Sequence, residues 1–180
     1  MTQQTHMRTF RLSAAGVCLA LAMVLPFVTG QIPQIGKALS PMHIPVFLCG
    51  FLCGWPYGLA VGAAAPLLRS VLFHMPALYP DAAAMSFELA AYGFLTGVLY
   101  RILPKKNAFV YIALIAAMLG GRLVWGAARY VLLVARGSEF PFSAFLAGAF
   151  FNAVPGIVLH LVLVPAIVIG LRRSRLLPDG

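Results

Sequence analysis

Met42-His43-Ile44-Pro45-Val46-Phe47-Leu48-Cys49-Gly50-Phe51-Leu52-Cys53-Gly54 is a short apolar run, and the fold depends on how it is read. About 20 helical residues are needed to cross the ~30 Å hydrocarbon core of a bilayer. This run falls short of that length, so it either crosses compactly or dips in and returns. Charge placement decides between the two. If it dips, the basic clusters Arg101, Lys105, Lys106 and Arg172, Arg173, Arg175 lie outside the cell. If it crosses, with the N-terminus inside, they join Arg8 and Arg11 on the cytoplasmic side, and only Lys37 and Arg136 remain outside. The excess of lysine and arginine on cytoplasmic loops favours the crossing.

Outward from that run, five more apolar segments are marked off by polar or Pro/Gly-rich interruptions. The six cover residues 12–28, 42–54, 57–73, 82–103, 108–135 and 142–171. The expected fold is an all-α integral membrane protein, six transmembrane helices in one compact bundle with both termini cytoplasmic. Residues 1–180 are expected to form a single membrane domain, with no signal peptide at the start. Composition agrees: 62% of the 180 residues are hydrophobic and only 9% charged. The mean hydropathy is +0.94, which excludes a soluble domain and a disordered chain alike. The net charge of +9 does not point to nucleic acid, because the basic residues cluster at segment ends without interleaved aromatics.

Small residues four apart predict close helix packing: Gly50 and Gly54, Gly58 and Gly62, Gly93 and Gly97. The first segment carries a comparable stripe, Ala14, Cys18 and Ala22. Pro26, Pro66, Pro155 and Pro165, within or near segment ends, free backbone carbonyls and bend helices. Cys18, Cys49 and Cys53 all lie in apolar runs and are an odd number, so neither a disulfide framework nor a metal site is expected.

The costly residues are Arg69, Glu88, Arg122 and Arg129, ionisable groups inside otherwise lipid-soluble sequence. Such groups face a protein-walled cavity or pair with one another, unless they reach the interface by snorkelling. Arg69 lies ~6 Å and Glu88 ~10 Å along the helix from the outer end of its segment. Three- and four-residue steps put Arg122, Trp125, Gly126 and Arg129 on one face, and Asp81, Met85, Glu88 and Tyr92 on another. Asn152, Gly156 and His160 make a third stripe, and His43 and His74 stand at the outer mouth. The candidate substrate-binding residues are therefore Glu88, Arg122, Trp125, Arg129, Asn152, Arg69, Tyr92 and His43. Three arginines against one buried glutamate favour an anionic ligand. No GxxxxGK[ST], HExxH or GxSxG motif occurs, and neither enzyme chemistry nor a cofactor is expected.

The stretch Leu39-Ser40-Pro41-Met42-His43-Ile44-Pro45-Val46, followed by Gly50, Gly54 and Gly58, resembles the substrate-binding S components of energy-coupling factor (ECF) vitamin transporters. So do Ala65-Pro66-Leu67-Leu68-Arg69-Ser70 and Phe87-Glu88-Leu89-Ala90-Ala91-Tyr92-Gly93. The resemblance implies a vitamin-binding subunit in a bacterial plasma membrane, partnered by a transmembrane T subunit and two cytoplasmic ATPases. It implies contact with the T subunit through small residues of the first helix, here Ala14, Cys18 and Ala22. It also implies toppling of the subunit in the membrane, with outer loops gating the site. Among vitamins, the positive charge favours pantothenate slightly, and Trp125 and Tyr92 suit pyridoxine or a pyrimidine next. The alternatives are a small intramembrane enzyme using Glu88, Arg122 and His160, and a structural subunit of a membrane complex.

Overall fold

The structure, a computed structural model, describes residues 3–28, 36 and 38–174. Lys37 and Arg175, two of the cations used to orient the chain, lie outside them. The elements in order are α1 (Gln3–Val28), α2 (His43–Cys53), α3 (Trp55–Phe73), a π-helical turn (Leu78–Ala82), α4 (Ala83–Ile102), α5 (Asn107–Val134), α6 (Phe142–Ala149), a 3-10 turn (Phe151–Ala153) and α7 (Val154–Arg173). No strand occurs among the described residues. Five stretches are long and apolar enough to cross a membrane: Thr5–Val28, Trp55–Phe73, Leu78–Ile102, Asn107–Val134 and Phe142–Arg173.

The bundle is turned out toward lipid. Leu12, Val17, Val71, Leu123, Val131, Val158 and Val162 are all more than half exposed. A belt of that kind is what a bilayer covers, and a soluble monomer would not leave it bare. α2 is the exception. Ten of its 11 residues are buried, so it is apolar on every side and sits in the centre of the bundle. At this length it rises about 16 Å, roughly half the hydrocarbon thickness. The space beyond its N-terminal end is left to be filled by something else.

The glycine pairs seen in the sequence make the seam that holds α2, α3 and α4 together. Gly54 joins α2 to α3 with φ +90°, a conformation that a side chain disfavours. The chain turns back so tightly there that a Cβ on Gly58 would stand 2.9 Å from the Gly50 Cα. A Cβ on Gly62 would collide with the Leu89 carbonyl, one on Gly93 with the Gly58 carbonyl, and one on Gly97 with the Trp55 backbone. Van der Waals contact between backbones replaces the hydrophobic drive that lipid does not supply.

Two expectations need correction. The last segment is not one continuous helix: it breaks at Phe150, whose φ −124° and ψ −62° leave the helical path before α7 starts at Val154. Pro155 has no N–H to donate and its ring crowds the carbonyl four residues back, so the run through Asn152 does not continue as an α-helix. The stripe Ala14, Cys18 and Ala22, expected to meet a partner, instead turns inward. Cys18 is 4% and Ala22 0% exposed, both in the core with Cys49 and Cys53 of α2. Small residues let α1 approach α2 closely, and that contact already covers them. α1 also begins before its apolar run, carrying Arg8 and Arg11 as helical residues beyond the lipid-soluble stretch.

Candidate functional site

A cavity of about 600 Å³ stands on the N-terminal end of α2, in the space its shortness leaves. Its floor is Ser40, Pro41, Met42 and His43. One side is Arg69 of α3 with Asp81, Met85 and Glu88, the last two on α4; the other is Arg122, Trp125 and Arg129 of α5. Pro26 of α1, Gly36, Met75, Pro76 and Ala77 of the α3–α4 loop, Phe140, and Ala144, Ala147 and Gly148 of α6 complete the wall, with Asn152 at the helix break. Volume and lining are those of a small-molecule site, apolar for the most part with a few convergent polar groups.

Seven of the eight residues singled out from the sequence line this cavity: His43, Arg69, Glu88, Arg122, Trp125, Arg129 and Asn152. Tyr92 does not. It lies one helical turn deeper, 1% exposed, and its hydroxyl donates to Glu88 Oε1 at 2.7 Å. The same oxygen receives Arg122 Nη1 at 2.9 Å, an ion pair that ties α4 to α5 with side chains 2% and 11% exposed. The charge of Glu88 is thus balanced by Arg122 and its Oε1 held by Tyr92.

His43 faces this pair, its Nε2 3.7 Å from Glu88 Oε1, too far for a hydrogen bond. Both its ring nitrogens are buried and without a hydrogen-bond partner. The ring is fixed all the same, stacked at 5.7 Å on His160 and tilted at 5.4 Å against Tyr92. His160, which does not line the cavity, is 3.2 Å from the Ser40 carbonyl through its Nε2 and meets Phe47 edge-on. Gly156, of the same stripe, is packed against the carbonyls of Ala38 and Leu39. The stripe on α7 therefore holds the floor in place, and only Asn152 reaches the chamber.

The outer pair is Arg129 with Asp81, Nη1 to Oδ1 2.6 Å, both side chains 24% exposed. The Arg129 guanidinium also lies over the Trp125 ring at 5.5 Å. Tyr79 donates to the Leu132 carbonyl, and Arg136 stacks on the Tyr79 ring at 3.9 Å, so the turn before α4 is fastened to the end of α5. Asp81 was on the face read from the sequence, yet its role as counter-ion required the fold. Met75, Pro76 and Phe140 carried no sequence signal, since nothing in their neighbourhoods brings separate loops together.

Arg69 differs from both. It is 3% exposed, donates from Nη1 to the Met23 carbonyl at 2.5 Å, and lies 4.9 Å over the Phe27 ring and 5.2 Å over the Phe73 ring. Among the described residues no carboxylate pairs with it. Among the described lining residues, three guanidinium groups face two carboxylates, and the unbalanced positive charge is that of Arg69.

The chamber thus combines two paired charges, a cation with no carboxylate among the described residues, and a buried imidazole without a hydrogen-bond partner. The family model "ECF transporter, substrate-specific component" matches residues 10–168. The chain belongs to that family. No curated protein and no solved structure gives a match. As a substrate-specific component of an ECF transporter, it is a membrane protein of the transport machinery, in a family that works in association with an ECF module. The family is one of substrate-binding components and not of enzymes.

Proposed function

We propose that this S component captures a small water-soluble vitamin or vitamin precursor from outside the cell and delivers it inward with energy from a transmembrane T subunit and two cytoplasmic ATPases. The observation that carries the reading is the cavity itself: about 600 Å³, walled by His43, Glu88, Arg122, Trp125 and Arg129 in a chain of the ECF S-component family. Its one unbalanced positive charge gives pantothenate a slight preference, with pyridoxine or a pyrimidine next on the strength of Trp125.

An outward-facing cavity in a bacterial plasma membrane, with both termini cytoplasmic, is supported by the distribution of charge along the bundle. α4 follows the turn that carries Asp81 beside the cavity and has Arg101 in its last turn; α7 starts beside Asn152 and ends at Arg172 and Arg173. Arg172 donates to the Lys105 carbonyl at 2.5 Å, which gathers these cations at the end opposite the cavity. That end faces the cytoplasm by the positive-inside bias. With Cys18 and Ala22 already covered, the small residues that α1 still exposes are Ser13, Gly16 and Ala20, and a Cβ on Gly16 would meet nothing. That face is the one on α1 available to the T subunit.

The test is thermal unfolding of the detergent-solubilised chain against a panel of water-soluble vitamins, with native mass spectrometry for a co-purified ligand. A ligand that binds the folded state alone stabilises it by RT ln(1 + [L]/Kd), so a hundredfold excess over Kd contributes about 2.7 kcal/mol. A clear upward shift with one vitamin is expected. A flat response across the panel, with no bound mass, would refute the assignment.

A further inference from the structure

We propose that the cavity reads its ligand from two chemically different ends, Arg69 taking a carboxylate and His43 taking an uncharged hydrogen-bonding group, so that the substrate is a monocarboxylic acid whose acid group is remote from its polar head. The inference rests on the S-component reading above and goes further by assigning the ends. Arg122 and Arg129 are not the anion site. Each already has its charge balanced by a carboxylate, at 2.9 and 2.6 Å respectively, so a second anion there would meet a compensated cation and the neighbouring carboxylate's repulsion.

The N-terminal end of α2 does not serve either. Its first amides are engaged, His43 N–H with the Ser40 carbonyl at 3.0 Å and Ile44 N–H with the Pro41 carbonyl at 3.4 Å, and Pro45 has no N–H to offer. Arg69 is left. A guanidinium carries five N–H donors, and one of these is used on Met23. The two phenyl rings cover the guanidinium without using its donors. A buried cation without a counter-ion is a standing cost, and an acid that enters the cavity removes it. Planar guanidinium and carboxylate match in two parallel hydrogen bonds, which makes the pairing selective as well as attractive.

At the other end His43, buried in the floor, is the polar side chain without a hydrogen-bond partner. Its Nε2 faces Glu88 Oε1 at 3.7 Å, beyond hydrogen-bond reach, so the ring keeps one donor and one acceptor for a neutral ligand that settles against it, while Glu88 is balanced by Arg122. A hydroxyl or amide satisfies that pair, and a second charge there would upset the Glu88–Arg122 balance. The phenylalanines that flank Arg69 come from the outer ends of α1 and α3, whereas His43 belongs to the floor. The acid is accordingly held toward the mouth and the neutral head inward.

Matched acid and neutral pairs test this on the full chain in detergent: pantothenate against pantothenol, nicotinate against nicotinamide, with pyridoxine and thiamin as uncharged and cationic controls. Titration calorimetry should show the acid of the recognised pair binding at least about tenfold tighter than its neutral partner. Arg69→Gln should remove that preference by weakening the acid alone, and Arg69→Lys should keep part of it. His43→Phe should weaken both members of the pair by about tenfold while leaving their ratio as it was. Where Arg69→Gln does not fold, the wild-type ratio decides. Equal affinity within the pair, or tight binding of pyridoxine or thiamin that ignores Arg69→Gln, overturns the two-ended assignment and leaves the S-component function standing. No binding of any vitamin by the folded wild-type chain overturns both.

Discussion

The two walls of the cavity are built by opposite means. On one side α2, α3 and α4 meet backbone to backbone through Gly50, Gly58, Gly62, Gly93 and Gly97, and half of the membrane window of α4 is buried. On the other, α5 and α6 meet through the rings of Trp125 and Phe145, with Phe140 packed on Trp125 and with Phe142 and Phe150 packed on Phe145. There a Cβ on Gly126 would strike the Phe145 ring and one on Gly148 the Trp125 ring, ends of side chains and not main chain. A backbone seam has no slack, whereas an aromatic wall can repack by rotamer changes. The lesson is one of division of labour: Arg69 and Glu88 stand on the wall that cannot shift, and Trp125 and Phe140 on the wall that can accommodate a guest.

The largest test of this division is the ion pair that bridges the walls. Glu88→Gln leaves Arg122 buried opposite a neutral group, and the loss should be about 3–5 kcal/mol in a detergent unfolding titration. Adding Arg122→Gln to that variant should recover part of the loss; a Glu88→Gln protein as stable as wild type would mean that the walls are joined elsewhere. Next comes the seam. Gly93→Ala places a methyl on the Gly58 carbonyl and should cost about 1–3 kcal/mol, read as a lowered unfolding temperature.

The second bridge should matter less, because it is partly open to water. Asp81→Asn, which weakens a pair 24% exposed on each side, should cost about 0.2–1 kcal/mol in the same assay. Smallest is Gly126→Ala on the aromatic wall, expected within about 0.5 kcal/mol of wild type as Phe145 swings aside. Equal penalties for Gly93→Ala and Gly126→Ala would erase the distinction between the two walls.

Much of this was legible in the sequence because lipid is an undiscriminating but strict solvent. Every segment that enters it must be apolar and helical, so each of the six apolar runs located a helix or, for the last, a helix pair. For the same reason the few ionisable residues inside those runs stood out, and Arg69, Glu88, Arg122 and Arg129 do line one chamber. Spacing also showed which residues share a helical face. It did not show where that face turns: Ala14, Cys18 and Ala22 share one, and it looks into the core. The break at Phe150–Ala153 was foreshadowed by Pro155 alone, and a bend and a break have the same residue as their sign.

Length and apolar periodicity were therefore sufficient for the class of fold, the position of the helices and the kind of residue that lines the cavity. These are consequences of each segment's own free energy in a bilayer, which needs no knowledge of its neighbours. Which arginine meets which acid, that Arg69 has none among the described residues, that the buried His43 ring lacks a hydrogen-bond partner, and that α2 stops short to make room were settled by packing. Those are pairwise facts between residues up to 120 positions apart, such as Ser40 and His160, and only the folded chain brings their atoms within reach of one another.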